Sequence, residues 1–276
     1  MAALDDLLTA LLDGPAVLVQ VMRVQGSGPR EVGAWMAVSP RALLATIGGG
    51  HLEFEATAHA RALLGGQVLP EPSALERRFA LGPSLGQCCG GVVDLSFELL
   101  PARPGAERQA ELRRDLSLPE AQLLPVGLFG GGHVGRAIID LLSRLPSRVQ
   151  WFDSRDEVFP PGLPAHVCAE HSEPVQAAVQ DLSPGSRVLI MSFSHAEDLD
   201  VLAACLLRQR LAGDLPFIGL IGSKSKWASF SARLRERGFS AAELAHVTCP
   251  IGLPGIAGKQ PEVIAIAVVA QLLQNR

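Results

Sequence analysis

Apolar residues at Val134, Ala137, Ile138, Leu141, Leu142 and Leu145 recur at three- and four-residue steps, which predicts a helix with one buried stripe. Just ahead of it the apolar run Val126–Phe129 stops at glycines, so strand, tight turn and helix follow one another. Arg148–Phe152, Arg187–Phe193 and Phe217–Ile221 read as further strands, and Ala165–Cys168 as a short one. Ser194 and Glu197 have the spacing of a capping box, and the helix behind them has Leu199, Leu202, Ala203, Leu206 and Leu207 as its apolar face. The next helix places Trp227, Phe230 and Leu234 inside. The last, Pro261–Gln274, opens on proline with Glu262 in its first turn and is apolar nearly all round, which makes it core or a subunit contact. Strands alternating with helices predict an α/β chain ending in a Rossmann-like parallel sheet.

The N-terminal half reads differently. A helix over Leu4–Leu12 precedes a strand, Ala16–Val24, with too many apolar positions to be half exposed. Strands over Gly33–Val38 and Leu43–Ile47 flank a turn at Ser39–Arg41. The glycine turn Gly48–Gly50 leads into a helix, Leu52–Leu64, with Leu52, Ala56, His59, Ala60 and Leu63 on one side. Leu75–Leu81 and Val92–Leu100 complete a smaller mixed α+β domain. Between Pro101 and Glu120, prolines and Gly105 enclose a charged run, Glu107–Asp115. That change of character predicts a boundary: residues 1–102 as one domain, 103–120 as linker, 121–276 as the Rossmann-like domain.

Composition narrows the class. A chain of 276 residues has room for two domains. With 48% hydrophobic residues, 19% charged and a net charge of −4, it offers no electrostatic reason for nucleic acid or a membrane surface as partner. Asp5 and Asp6, with no basic residue before Arg23, speak against a secretory signal, and Val263–Gln274 is too short to span a bilayer. Five cysteines without regular spacing suit a reducing cytoplasm.

Candidate chemistry gathers at the turns. Gly130, Gly132 and Gly135 have the G-x-G-x-x-G spacing, and Asp153, eighteen residues past the last glycine, sits near the place of a ribose-binding carboxylate. Free amides at the helix start would face an anion. Gly48, Gly49 and Gly50 offer a second such place, with Thr46 beside it as a cap or a plain turn residue. Gly222–Lys226 is either a third, through Lys224 and Lys226, or a start with two solvated lysines. His195 is placed at the carboxyl end of the sheet, where open α/β folds bind ligands. Cys88 and Cys89 lie between glycines, uncovered, and point to opposite faces of an extended segment. They are a soft-metal or sulfur contact, or two small residues in a turn. No C-x-x-C or H-E-x-x-H pattern occurs.

Taken together, Gly26–Met36, Thr46–Glu53, Gly86–Gly91, the Gly130 turn with Trp151–Arg155, Ser194–Ala196, Gly219–Lys226 and Cys249–Lys259 resemble the XdhC/CoxI family over nearly the whole chain. The segment before His195 lacks the threonine–histidine pairing of relatives. The resemblance implies an accessory protein without catalytic turnover. Such a protein would bind the molybdenum cofactor (molybdopterin), hold it while a NifS-like cysteine desulfurase supports exchange of an oxo for a sulfido ligand, and deliver it to apo xanthine dehydrogenase. Gly48–Gly50, Gly130, Gly132, Gly135, Asp153 and His195 become cofactor-binding candidates, Cys88 and Cys89 molybdenum or sulfur contacts, and the Rossmann-like domain a place for NAD(P) or another nucleotide. A cytoplasmic homodimer is expected, since the last helix and the strand edges need cover. The competing expectation is an NAD(P)- or FAD-dependent oxidoreductase using Gly130, Gly132, Gly135 and Asp153, with His195 as acid or base.

Overall fold

A computed structural model describes residues 2–66, 76–81 and 91–274, which divide between Ser117 and Leu118 into two units. The N-terminal unit is built on β1 (Ala16–Gln25), the middle strand of an antiparallel sheet in the order β3-β2-β1-β5-β4, with β2 (Trp35–Val38), β3 (Leu43–Ala45), β4 (Glu76–Ala80) and β5 (Val92–Leu100). Side chains alternate across a strand, and both faces of β1 are covered. Val17, Val19 and Val21 meet Leu52, Ala56 and Ala60 of α2 (Gly50–Leu64). Ala16 and Leu18 meet Leu4, Leu7 and Leu11 of α1 (Ala2–Asp13). This double burial is why β1 reads as a continuous apolar run.

The segment 103–120 holds α3 (Ala106–Leu116), so it is not an open linker. Leu112 and Leu116, four apart, enter the core beneath α1. Apart from Ala106 and Ala110 the remaining positions are polar, with Arg113 bonded to Asp5 and Arg108 to Glu111. Two leucines in a charged run make too narrow a stripe to stand out from composition, yet they tie α3 to the N-terminal unit.

In the C-terminal unit six parallel strands run β11-β10-β9-β6-β7-β8. They are β6 (Leu124–Phe129), β7 (Ser147–Asp153), β8 (Val167–His171), β9 (Arg187–Ile190), β10 (Phe217–Leu220) and β11 (Val247–Thr248). On one face Ile138, Ile139 and Leu142 of α4 (His133–Leu142) and Ala265, Val268 and Leu272 of α8 (Pro261–Gln274) cover Val126, Leu128 and Trp151. On the other, α5 (His195–Ala212) and α6 (Lys224–Glu236) cover Phe129, Phe152, Val188 and Ile218 through Leu202, Leu206, Phe230 and Leu234; a short α7 (Ala241–Leu244) precedes β11. Chain order reverses between β6 and β9, so their carboxyl ends frame the crevice where such sheets take ligands. Two details depart from expectation. Leu207 is 46% exposed, Val201 and Cys205 being buried on α5 in its stead, and α8 buries one side while Ile266 is 52% exposed. Among the described residues no helix is long and apolar enough to cross a membrane.

Because Leu112 is a core residue, Leu112→Ala lowers unfolding stability by about 2–5 kcal/mol in a urea titration of the full chain. A residue of an open linker would shift it by no more than about 0.5 kcal/mol.

Candidate functional site

The crevice starts from three glycines with different duties. Gly130 has φ 124°, and a Cβ there would lie 2.0 Å from the Met191 carbonyl oxygen. A Cβ on Gly135 would lie 2.2 Å from the carbonyl oxygen of Gly130. Both are therefore demanded by the chain's own backbone. Gly132 is not: a Cβ there meets nothing within 4 Å. It is the N-cap of α4, and no side chain caps that end. Open space above amides at a helix start is the arrangement an approaching phosphate needs.

Asp153 lies at the end of β7 as expected, but its oxygens are engaged. They accept from Gly131 N (2.6 Å), Arg155 N (2.9 Å), Arg155 Nε (2.9 Å) and Arg155 Nη2 (3.0 Å), and the residue is 1% exposed. Burial alone would raise its pKa. The Arg155 guanidinium and the two amides outweigh burial and hold the carboxyl below its ordinary value. Arg155 in turn lies 4.3 Å from the ring centre of Phe193, itself 64% exposed. Neither residue was a candidate from sequence. The signal was there, because Arg155 is only two positions past Asp153, within reach of a guanidinium just beyond the end of β7.

His195 is the first residue of α5 and exposed, its ring 6.3 Å from that of Phe230. Only half of the expected capping box forms. Ser194 Oγ accepts from Glu197 N (3.2 Å), whereas the Glu197 carboxylate accepts from Phe193 N and Ser154 Oγ (both 3.1 Å). Beneath lies an ion pair that sequence reasoning missed. Asp198, 2% exposed, accepts from Ser192 N (2.7 Å) and Lys226 Nζ (2.6 Å), and Lys226 also donates to the Ile221 carbonyl (2.8 Å). Lys226 thus joins the loops after β9 and β10, so its charge is satisfied inside the protein; Lys224 stays exposed. Burial pushes the Cys249 thiol up despite Lys226, which keeps it protonated at neutral pH.

At the N-terminal turn the expected cradle is already filled. Gly48, Gly49 and Gly50 all have positive φ. Glu53 Oε2 accepts from Ile47 N (3.1 Å), Gly49 N (3.1 Å) and Thr46 Oγ1 (2.6 Å), and Thr46 Oγ1 accepts from Gly48 N (3.0 Å). The turn does bind an anion, the protein's own. Glu53 reaches back from the first turn of α2, and Arg30 reaches the Thr46 carbonyl at 3.4 Å. Cys88 and Cys89 lie outside the described residues. Among those described, no group of three or more His, Cys, Asp or Glu could hold a metal ion. A cavity of about 500 Å³ opens past the end of β10, lined by Ile221, Pro250, Leu253, Ile256, Val263 and Ile264 among others.

A parallel sheet wound both ways from β6, with a glycine turn at the reversal, defines the C-terminal unit as a Rossmann-type domain. Residues 126–272 match the model of the XdhC Rossmann domain, and residues 12–69 that of the XdhC and CoxI family. The chain belongs to the XdhC/CoxI family. It is 27% identical over 267 residues to YqeB of Escherichia coli (strain K12), a protein described as uncharacterised; the match covers 94% of this chain and 43% of that relative, so the chain spans less than half of its length. A crystal structure of a Bacillus halodurans protein described as a xanthine dehydrogenase superposes with a TM-score of 0.67 at 21% identity, covering 100% of this chain and 96% of that one. At that identity the likeness carries the fold alone.

The glycines make separable predictions. Gly130→Ala lowers stability by about 2 kcal/mol or more in thermal melts, since backbone must move and the φ is strained. Gly132→Ala stays within about 1 kcal/mol. The Asp153 carboxyl also makes stability pH-dependent. Folding lowers its proton affinity, so its contribution is present above the unfolded pKa of about 4 and is lost as pH falls through the lower folded value. Asp153→Asn lowers the melting temperature at neutral pH and flattens the acid decline below about pH 4, read by melts across that range.

Proposed function

We propose that the chain is an accessory protein that binds the molybdenum cofactor as cargo, holds it for sulfuration and delivers it to apo xanthine dehydrogenase. The observation that carries this is the open position over Gly132 at an uncapped helix start, in a chain whose family is one of accessory and maturation proteins. In this reading the pterin phosphate lies on the first amides of α4, with exposed His195 at the start of α5 across the crevice. The protein performs no turnover. A NifS-like cysteine desulfurase supplies the sulfur, Cys88 and Cys89 contact the soft Mo–S centre, and the carrier works as a cytoplasmic homodimer.

The filled turn at Gly48–Gly50 favours the C-terminal unit over the N-terminal turn in this reading, because a second anion at that turn would meet the Glu53 carboxylate. The oxidoreductase reading is weaker. It asks Asp153 to take a ribose, and those oxygens already hold Gly131 and Arg155.

Reconstitution tests the proposal. The pure chain mixed with molybdenum cofactor carries molybdenum and pterin together through a desalting column, and the loaded chain activates cofactor-free xanthine dehydrogenase. Gly132→Val folds normally and retains the cargo about tenfold less well, a difference of about 1.4 kcal/mol. No retention by the wild-type chain, or turnover of a metabolite by the chain alone, would sink the reading.

A further inference from the structure

Rossmann units that hold adenosine dinucleotides leave the carboxylate at the end of the second strand free for ribose hydroxyls, beside phosphates on the glycine turn. The end of β7 does not fit that ligand. A carboxylate offers about four acceptor positions, and Asp153 accepts four hydrogen bonds from Gly131 N, Arg155 N, Arg155 Nε and Arg155 Nη2. Its guanidinium partner is bidentate and planar, the geometry that holds a carboxylate most firmly. Phe193 lies against that guanidinium at 4.3 Å.

A second closure stands beside the first. A Cβ on Gly131 would lie 2.4 Å from Val158 Cγ2, so the segment after β7 already presses on the turn. The Val158 carbonyl accepts from Arg136 Nη2 of α4 at 2.8 Å, and the Phe159 ring meets Trp151 edge-on at 5.1 Å. The chain's own residues thus close the β7 side of the turn, while the Gly132 side stays open.

We propose that Arg155 is a latch over Asp153 that shuts the ribose subsite, so that the C-terminal unit discriminates against NAD(H) and related adenosine dinucleotides. Phe193 is the shelf that keeps the latch down. A dinucleotide can enter only by displacing a guanidinium from a buried carboxylate, and a ribose hydroxyl does not replace that charge. The discrimination is a property of these side chains and stands whether or not the protein carries a molybdenum cofactor.

The test uses the full chain, with NADH titrated by its fluorescence and ADP-ribose by calorimetry. Wild type is expected to bind both no more tightly than about 1 mM. Arg155→Ala, shown to be folded by near-ultraviolet circular dichroism, binds both at least about tenfold tighter, and adding Asp153→Asn removes the gain. Phe193→Ala alters a surface side chain only and gives a smaller gain in the same direction; it serves also where Arg155→Ala fails to fold. Micromolar binding by wild type overturns the proposal. So does a folded Arg155→Ala, or Phe193→Ala where Arg155→Ala does not fold, that binds no better than wild type.

Discussion

Backbone approaches backbone at the sheet reversal more closely than any side chain allows, and the C-terminal unit is arranged around that approach. Without a Cβ, Gly130 can lie against the Met191 carbonyl, and Gly135 against Gly130 itself. Hydrogen bonds continue the seam sideways: Gly130 N to the Phe152 carbonyl and Met191 N to that of Phe129, both 2.8 Å, and Trp151 Nε1 to the Gly130 carbonyl at 3.0 Å. The ends of β7, β6 and β9 are joined as one rim. The position of Gly132, and with it the start of α4, follows from that rim and not from a flexible loop.

Charge at the loops within each unit is handled by a common device. At three loops a side chain of the chain itself supplies the counter-group: Glu53 at the N-terminal glycine turn, Asp153 with Arg155 after β7, Asp198 with Lys226 after β9 and β10. Buried pairs of this kind add little net stability compared with apolar substitutes. Their effect is cooperative. Leaving one member alone and buried costs about 3–5 kcal/mol, so the loops joined by Asp198 and Lys226 cannot open independently. The start of α4 has no side-chain cap and, unlike the uncapped start of α3, stands at the sheet reversal, which is why the proposed reading places the outside anion there.

Periodicity recovered most of the elements because burial here comes in stripes: the two faces of β1, the stripe on α4, the alternation that sends Leu128 and Phe129 into separate cores. It lost α3, where two leucines sit among charges. The site was less legible, and for a different reason. Sequence shows that Gly48–Gly50 and Gly222–Lys226 are able to receive an anion; it does not show that Glu53 gets there first, or that Lys226 turns inward to Asp198 twenty-eight residues earlier. Occupancy is decided by reach in three dimensions. Arg155 was closer to legible, since it follows Asp153 by only two residues just past the end of β7.

Magnitudes constrain what the open helix start can do for the proposed cargo. A charge at a helix terminus gains about 0.3–1 kcal/mol, rising to about 2 in partly buried geometry, whereas micromolar binding needs about 8 kcal/mol. In the proposed reading the amides at Gly132 and His133 would therefore set where a phosphate goes and supply a minor share of the grip. The rest has to come from other contacts, among them apolar surface at about 25 cal/mol per Å² removed from water. The cavity past β10, walled by Ile221, Leu253, Ile256 and Val263, offers such surface in the same unit. A grip divided in this way would suit the proposed carrier: the phosphate would fix orientation, and an apolar contact, having no directional bond to break, would yield to a client that covers more of the same surface.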